Sequence, residues 1–294
     1  MKITRFLRES YSDYPGKVAS VVFTQACNYK CPSCHAKQIL NSDYSVSQEQ
    51  VLQYLNPRKG FVNAVVLCGG EPILQPDIKN FVKQIKDLGF FVKLDTNGSH
   101  PEILQDLLKE NLVDYAAMDI KGPPYLYKQL AGSPININNL KKAISIVAKF
   151  PDYEFRTTIC PLIRQDKISF ISKSGFNTPQ LAVSDLERLK LPVAKGKKIC
   201  GKYSVACCGD SKFLGNFFIS PEEAVDAAKM IVQATGNNTH KYFLQKFVSR
   251  SQEEMIDERF AKENLPLELQ ETPKPHLEAI LKAVSVHLPN TKIR

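Results

Sequence analysis

At 294 residues, 43% of them hydrophobic, the chain is long enough to bury a full core in one large α/β domain or two small ones. No stretch approaches the roughly 18 consecutive apolar residues of a membrane span, and the opening Met1-Lys2-Ile3-Thr4-Arg5 lacks an apolar signal core, so a cytoplasmic protein without a membrane partner is expected. The formal net charge of +9 predicts attraction to something acidic (nucleic acid, a nucleotide-rich partner or an acidic protein) and does not choose among them.

Apolar, β-rich runs at 18–24, 64–67, 90–94, 115–119, 154–159 and 242–245 alternate with helical patterns at 47–55, 76–88, 101–110, 138–149 and 221–235. Such alternation is the signature of βα units on a parallel sheet, and six units predict a partial, open (β/α)6 TIM-like barrel. In such barrels chemistry gathers at the C-terminal ends of the strands. The stretch 166–218 breaks the rhythm, with nine Lys or Arg against four Asp or Glu, and reads as an insertion between strands 5 and 6. Three stretches are therefore expected: a core at 1–165, the insertion, and a sixth βα unit with its extension at 219–294. The extension carries Pro266, Pro273 and Pro275, an amphipathic helix at 276–287, and Lys292-Ile293-Arg294 as an edge strand.

Directly after the first apolar run come Cys27, Cys31 and Cys34, spaced C-x3-C-x2-C. Three thiolates are one fewer than a closed iron–sulfur or zinc site needs, so one metal position stays open for a ligand that is not protein. His35 offers the competing reading, a closed Cys3His zinc site. Either reading places the eight cysteines in a reducing compartment rather than in disulfides.

Further candidates fall at successive strand ends. Cys68-Gly69-Gly70-Glu71-Pro72 follows strand 2; adjacent glycines let a ligand approach the main chain closely. Strand 3 ends in Asp95-Thr96-Asn97-Gly98 and strand 4 in Asp119-Ile120-Lys121-Gly122, so carboxylates from two strands can meet across the barrel mouth. On strand 5, Arg156 and Thr158 share one face by the period-2 rule, and Gln245 is a polar candidate on strand 6. Taken singly, each has a plain structural alternative: a βα turn, a helix cap, a salt bridge.

The cysteine spacing followed by these motifs in order strongly resembles the radical S-adenosylmethionine (SAM) superfamily. Asp95-Thr96-Asn97 and Met118-Asp119-Ile120-Lys121, with the lead-in Asp13-Tyr14-Pro15-Gly16-Lys17, sharpen the resemblance to glycyl-radical-enzyme activating enzymes, nearest to the anaerobic ribonucleoside-triphosphate reductase activating protein. The resemblance is dense from Tyr11 to about Pro161 and looser at 220–247. It implies a [4Fe–4S] cluster on Cys27, Cys31 and Cys34, with SAM in the open iron position and cleaved to a 5′-deoxyadenosyl radical that abstracts hydrogen from a partner's glycine. Gly69, Gly70 and Glu71 would position SAM; Asp95, Thr96, Asn97, Asp119 and Lys121 would line its site, with a monovalent cation beside its carboxylate; Arg156 and Thr158 would reach its nucleoside. Catalytic groups beyond cluster and SAM are not expected. A flavodoxin or ferredoxin electron donor is implied.

Two departures stand out. The aromatic residue that members commonly carry before the last cluster cysteine is Ser33 here, leaving Tyr29 as the nearest aromatic for the adenine. The insertion holds Cys200, Cys207 and Cys208, which, with Cys160, offer a second metal site or free thiols. Other readings are a radical SAM enzyme modifying tRNA or a small nucleoside, which the positive charge accommodates, and a non-catalytic, metal-stabilised interaction module.

Overall fold

The computed structural model describes residues 1–42, 46–162, 217–265 and 267–294. The insertion, with Cys200, Cys207 and Cys208, lies outside these residues apart from its final positions. One eight-stranded sheet runs β1 (Ile3–Tyr14), β2 (Lys17–Thr24), β3 (Ala64–Gly69), β4 (Phe91–Thr96), β5 (Tyr115–Asp119), β6 (Asp152–Ile159), β7 (Tyr242–Lys246), β8 (Thr291–Ile293), each strand pairing with the next. From β2 to β8 every pairing is parallel; β1 turns back antiparallel on β2. The six expected strands are β2–β7. To them β8 adds a seventh parallel strand, and β1 an edge that the sequence does not announce.

The helices are α1 (Lys37–Asn41), α2 (Gln48–Leu55), α3 (Ile78–Asp87), α4 (Pro101–Lys109), α5 (Tyr127–Ala131), α6 (Ile137–Val147), α7 (Pro221–Thr235) and α8 (Lys274–Val284). Ser47 and Ser220 begin α2 and α7 as full capping boxes, each serine hydroxyl accepting from the third helical N–H while Gln50 or Glu223 returns the bond.

Strand alternation separates two interiors. Val22, Val65, Leu67, Val92, Leu94, Ala116, Met118, Phe155 and Leu244 join the main core beneath the helices, together with Phe81, Leu104, Ile144, Ile231 and Ile280. Residues of the other parity face the concave side. Ala19, Val21, Ala64, Val66, Tyr115 and Ala117 form a smaller apolar cluster there with Tyr14. In the same register, β4 to β6 present Lys93, Asp95, Asp119, Glu154 and Arg156. The concave face is thus apolar on one flank and charged on the other.

Candidate functional site: a cysteine loop at the barrel mouth

The cysteine loop leaves β2 through Ala26, whose φ of 69° is rare for a residue with a side chain. Two glycines make that path possible. Gly69 (φ 102°) passes so close to β2 that an added Cβ would meet Thr24 N at 2.6 Å, and one on Gly70 would meet Ala26 O at 1.9 Å. Gly70 N donates to Thr24 O and Glu71 N to Ala26 O, both at 2.8 Å. On another side Lys30 N donates to Ala131 O (2.9 Å), and Gly132, in the left-handed region, admits the carbonyl of Lys30 where a Cβ would sit 2.0 Å away. A third clamp comes from the segment after β7: Ile256 N donates to Cys34 O (2.9 Å) and Lys37 N to Glu254 O (3.1 Å).

Cys27, Cys31 and Cys34 are partly buried within this frame. Tyr29 N donates to Cys27 Sγ and Ala36 N to Cys34 Sγ, each at 3.4 Å, and Asn97 Nδ2 lies 3.9 Å from Cys27 Sγ. Burial pushes the Cys27 thiol up to about 11 and raises Cys31, an effect that the nearby Lys121 ammonium opposes. Three partly buried sulfurs on one loop, two of them with backbone N–H donors aimed at them, are a donor set that fits an iron–sulfur cluster. Among the described residues no three Cys, His, Asp or Glu side chains converge as ligands of one ion would. A cluster does not ask for that, since each thiolate takes a different iron.

Glu71, 1% exposed, stands behind the loop. It accepts from Thr96 Oγ1 and from Asn97 N, both at 2.7 Å. Asn97 Nδ2 in turn donates to Asn28 Oδ1 at 3.0 Å, so the glutamate of one motif and the Thr-Asn of another jointly hold the cysteine loop. Burial drives the Glu71 carboxyl up to about 7, against the donors from Asn97, Thr96 and Ile73.

Beside this lies a chain of ion pairs across three strands. Lys93 Nζ meets Asp95 Oδ1 at 2.5 Å; Arg156 Nη1 meets Asp95 Oδ2 at 3.0 Å and Nε meets Asp119 Oδ1 at 2.9 Å; Lys121 Nζ meets Asp119 Oδ2 at 2.9 Å. Burial alone would raise Asp119, but Arg156 and Lys121 hold it well below the usual carboxylate range. Every carboxylate here already has a fixed cation. Thr158 Oγ1 donates to Gln245 Oε1 at 3.4 Å, on the same face as Arg156. Tyr29 is 6% exposed and belongs to the main core rather than standing free over the loop.

Of the residues singled out in the sequence, Cys27, Cys31, Cys34, Gly69, Gly70, Glu71, Thr96 and Asn97 are joined by direct contacts or shared loops, and Asp95, Asp119, Lys121 and Arg156 form the network beside them. Lys93 and Glu154 belong to that network without having been singled out, although they share strand parity with Asp95 and Arg156. Cys160, buried at the end of β6, lies near Cys31 and Ser33.

A parallel barrel carrying three thiols on the loop after its first barrel strand is the class of protein this defines. The sequence pattern of the radical SAM superfamily matches residues 21–166. Two proteins of Methanocaldococcus jannaschii, each named as a glycyl-radical enzyme activating enzyme, are similar to it. One is 34% identical over 64% of this chain and 84% of its own length; the other is 29% identical over 52% of this chain and 60% of its own length. The chain therefore spans less than two thirds of the second relative. Among solved structures, Streptococcus suis SuiB bound to S-adenosylmethionine aligns with a TM-score of 0.48 and 13% identity, over 91% of this chain and 47% of that one. The chain belongs to the radical SAM superfamily, and membership implies a [4Fe–4S] cluster and SAM. Among the described residues no helix is long and apolar enough to cross a membrane.

Proposed function

We propose that this radical SAM enzyme activates a glycyl radical enzyme, with an anaerobic ribonucleoside-triphosphate reductase as the favoured partner. The observation that carries the reading is the coupling of Cys27, Glu71, Thr96 and Asn97 into one unit beside the Asp95–Arg156–Asp119–Lys121 network. The names of the two methanogen relatives support the activating branch.

In this reading Cys27, Cys31 and Cys34 would hold the cluster and leave one iron position open to SAM, which Gly69 and Gly70 would help to position. Glu71 works through Asn97 and through its own loop. Asp95, Thr96, Asp119 and Lys121 complete the SAM pocket, Arg156 and Thr158 border its nucleoside side, and Tyr29 is a wall of the loop. Since Arg156 and Lys121 already neutralise Asp95 and Asp119, a monovalent cation would be an addition rather than a requirement. When bound, the reduced cluster would supply the one-electron chemistry that cleaves SAM and leads to hydrogen abstraction from glycine. The protein's part is to orient both groups and keep water away from them. A flavodoxin or ferredoxin would supply the electron.

The test is anaerobic reconstitution with iron and sulfide, reduction, and addition of SAM with the partner reductase. About four irons per chain, 5′-deoxyadenosine formation lost in Cys31→Ala, and a glycyl radical signal on the reductase are expected. Multiple turnovers on tRNA with a silent reductase would replace the activating reading by nucleoside modification. Zinc in place of iron without 5′-deoxyadenosine would leave only an interaction module.

A further inference from the structure

Glu154 is a carboxylate with no exposure at all, on the concave face of β6 and two residues before Arg156. A buried carboxylate is tolerated only when its charge and lone pairs are matched. Here the match comes from the far edge of the sheet. Arg294, directly after β8, lays its guanidinium 4.0 Å from the Phe243 ring on β7 and reaches Glu154 in a two-pronged contact, Nη1 to Oε1 at 2.7 Å and Nη2 to Oε2 at 2.9 Å. Tyr115 donates its hydroxyl to Oε2 at 2.7 Å. Arg294 is held by its own main chain, its N donating to Leu244 O at 2.9 Å. Among the described residues one other cation pairs with it: Arg156 Nη1, 3.9 Å from Glu154 Oε1, the same nitrogen that binds Asp95 at 3.0 Å.

One Arg156 nitrogen thus lies between two carboxylates, and Arg294 decides which one holds it. While Arg294 satisfies Glu154, Arg156 is free to serve Asp95 and Asp119. Without Arg294, a movement of about 1 Å would bring Arg156 into a direct charge-assisted bond with Glu154, at the expense of Asp95. We infer that Arg294 is a positioning residue, which by occupying Glu154 keeps Arg156 on the carboxylates of the candidate SAM pocket. The link to SAM rests on the functional reading above; the link to Arg156 does not.

The experiment pairs Arg294→Met with Arg294→Met/Glu154→Gln. It reads the Arg156 Nε–H resonance in iron-free, 15N-labelled protein and SAM affinity by calorimetry on the anaerobic, cluster-loaded protein without reductant. Arg294→Met should shift the Arg156 resonance and weaken SAM about tenfold, roughly the value of one charge-assisted bond. The double variant, in which no carboxylate competes for Arg156, should restore both to within about threefold of the parent. A merely structural Arg294 would give a double variant as impaired as the single one, and that result overturns the inference, as does an Arg156 resonance unmoved by Arg294→Met. Arg294→Lys, which keeps the charge but not the two-pronged contact, serves if the methionine variant does not fold; it should move the resonance part of the way, and no movement would again overturn the idea. A resonance that shifts and recovers while SAM affinity stays constant upholds the positioning role and removes Arg156 from the SAM pocket.

Discussion

Replacing Gly70 by alanine tests the argument for the loop directly. An added Cβ would lie 1.9 Å from Ala26 O and 2.7 Å from Ala26 C, both main-chain atoms that no side-chain rotation can move aside. The two loops would have to part, breaking the Glu71 N to Ala26 O bond and disturbing the turn that enters the cysteine loop. Overpacking costs about 1–3 kcal/mol and a lost hydrogen bond about 1 kcal/mol, so Gly70→Ala should lose about 2–4 kcal/mol in urea unfolding of the iron-free protein. It should also retain less iron after reconstitution. The control is Gly16→Ala, where φ is +73° but nothing lies within 4 Å of the new Cβ, and only backbone strain of about 1 kcal/mol is at stake. A backbone-strain argument alone would rank the two the other way. If Gly70→Ala proves as stable as Gly16→Ala and binds as much iron, the close approach of the two loops is not what the glycine pair is for.

The carboxyl of Glu71 has a folded value of about 7, above its unfolded one, so its contribution is complete below about pH 4.5 and disappears as pH rises to about 7. Stability of the iron-free protein should accordingly fall by about 3 kcal/mol over that interval, and Glu71→Gln should flatten the slope in a pH series of urea melts. Asp119 has the opposite sign: its lowered folded value gives stability that is present above about pH 3.9 and is lost on further acidification. Asp119→Asn strips Arg156 and Lys121 of a shared, partly exposed partner and should cost about 2 kcal/mol at neutral pH, between the surface and buried limits. That deficit should shrink below pH 4, and a deficit that persists there would contradict the ion-pair account. Asn97→Ala removes an amide donor from Cys27 Sγ, so the midpoint potential of the loaded protein should become more negative in a redox titration followed by electron paramagnetic resonance.

Much of this architecture is legible because strands buried beneath helices must be apolar and motifs sit where those runs stop. β2–β7 and most of their helices are found that way, as are the loops after β2, β3, β4 and β5. The strand β1 is not, because Arg5, Arg8, Glu9 and Asp13 interrupt it and Leu7 and Tyr11 remain exposed; backbone pairing to β2 holds it, with apolar burial confined mainly to its ends at Ile3 and Tyr14. Charged residues on an unpaired edge also guard it from pairing with other chains. The clamps at Lys30–Ala131 and Cys34–Ile256 are main-chain contacts, which leave no mark in side-chain pattern. Tyr29 illustrates a different limit. Its ring, the aromatic nearest the last cysteine of the loop, packs among core residues, a depth of burial that chain spacing does not reveal. Glu154 and Lys93 were within reach of the period-2 rule applied to whole strands rather than to motif residues.

The clasp on Cys34 sets an order of events in biosynthesis. Its partner Ile256 lies more than two hundred residues further along the chain, and Glu254 likewise completes the turn at Lys37. During translation the cysteines emerge early, but the frame that orients them is finished only after β7 and the segment beyond it have left the ribosome and docked, a contact between distant parts of the chain that is slow to form. Until then the thiols sit on an unfinished loop, open to oxidants and to whichever soft metal is at hand. A group held by these cysteines would therefore meet its finished frame only after the segment around Glu254 and Ile256 has docked.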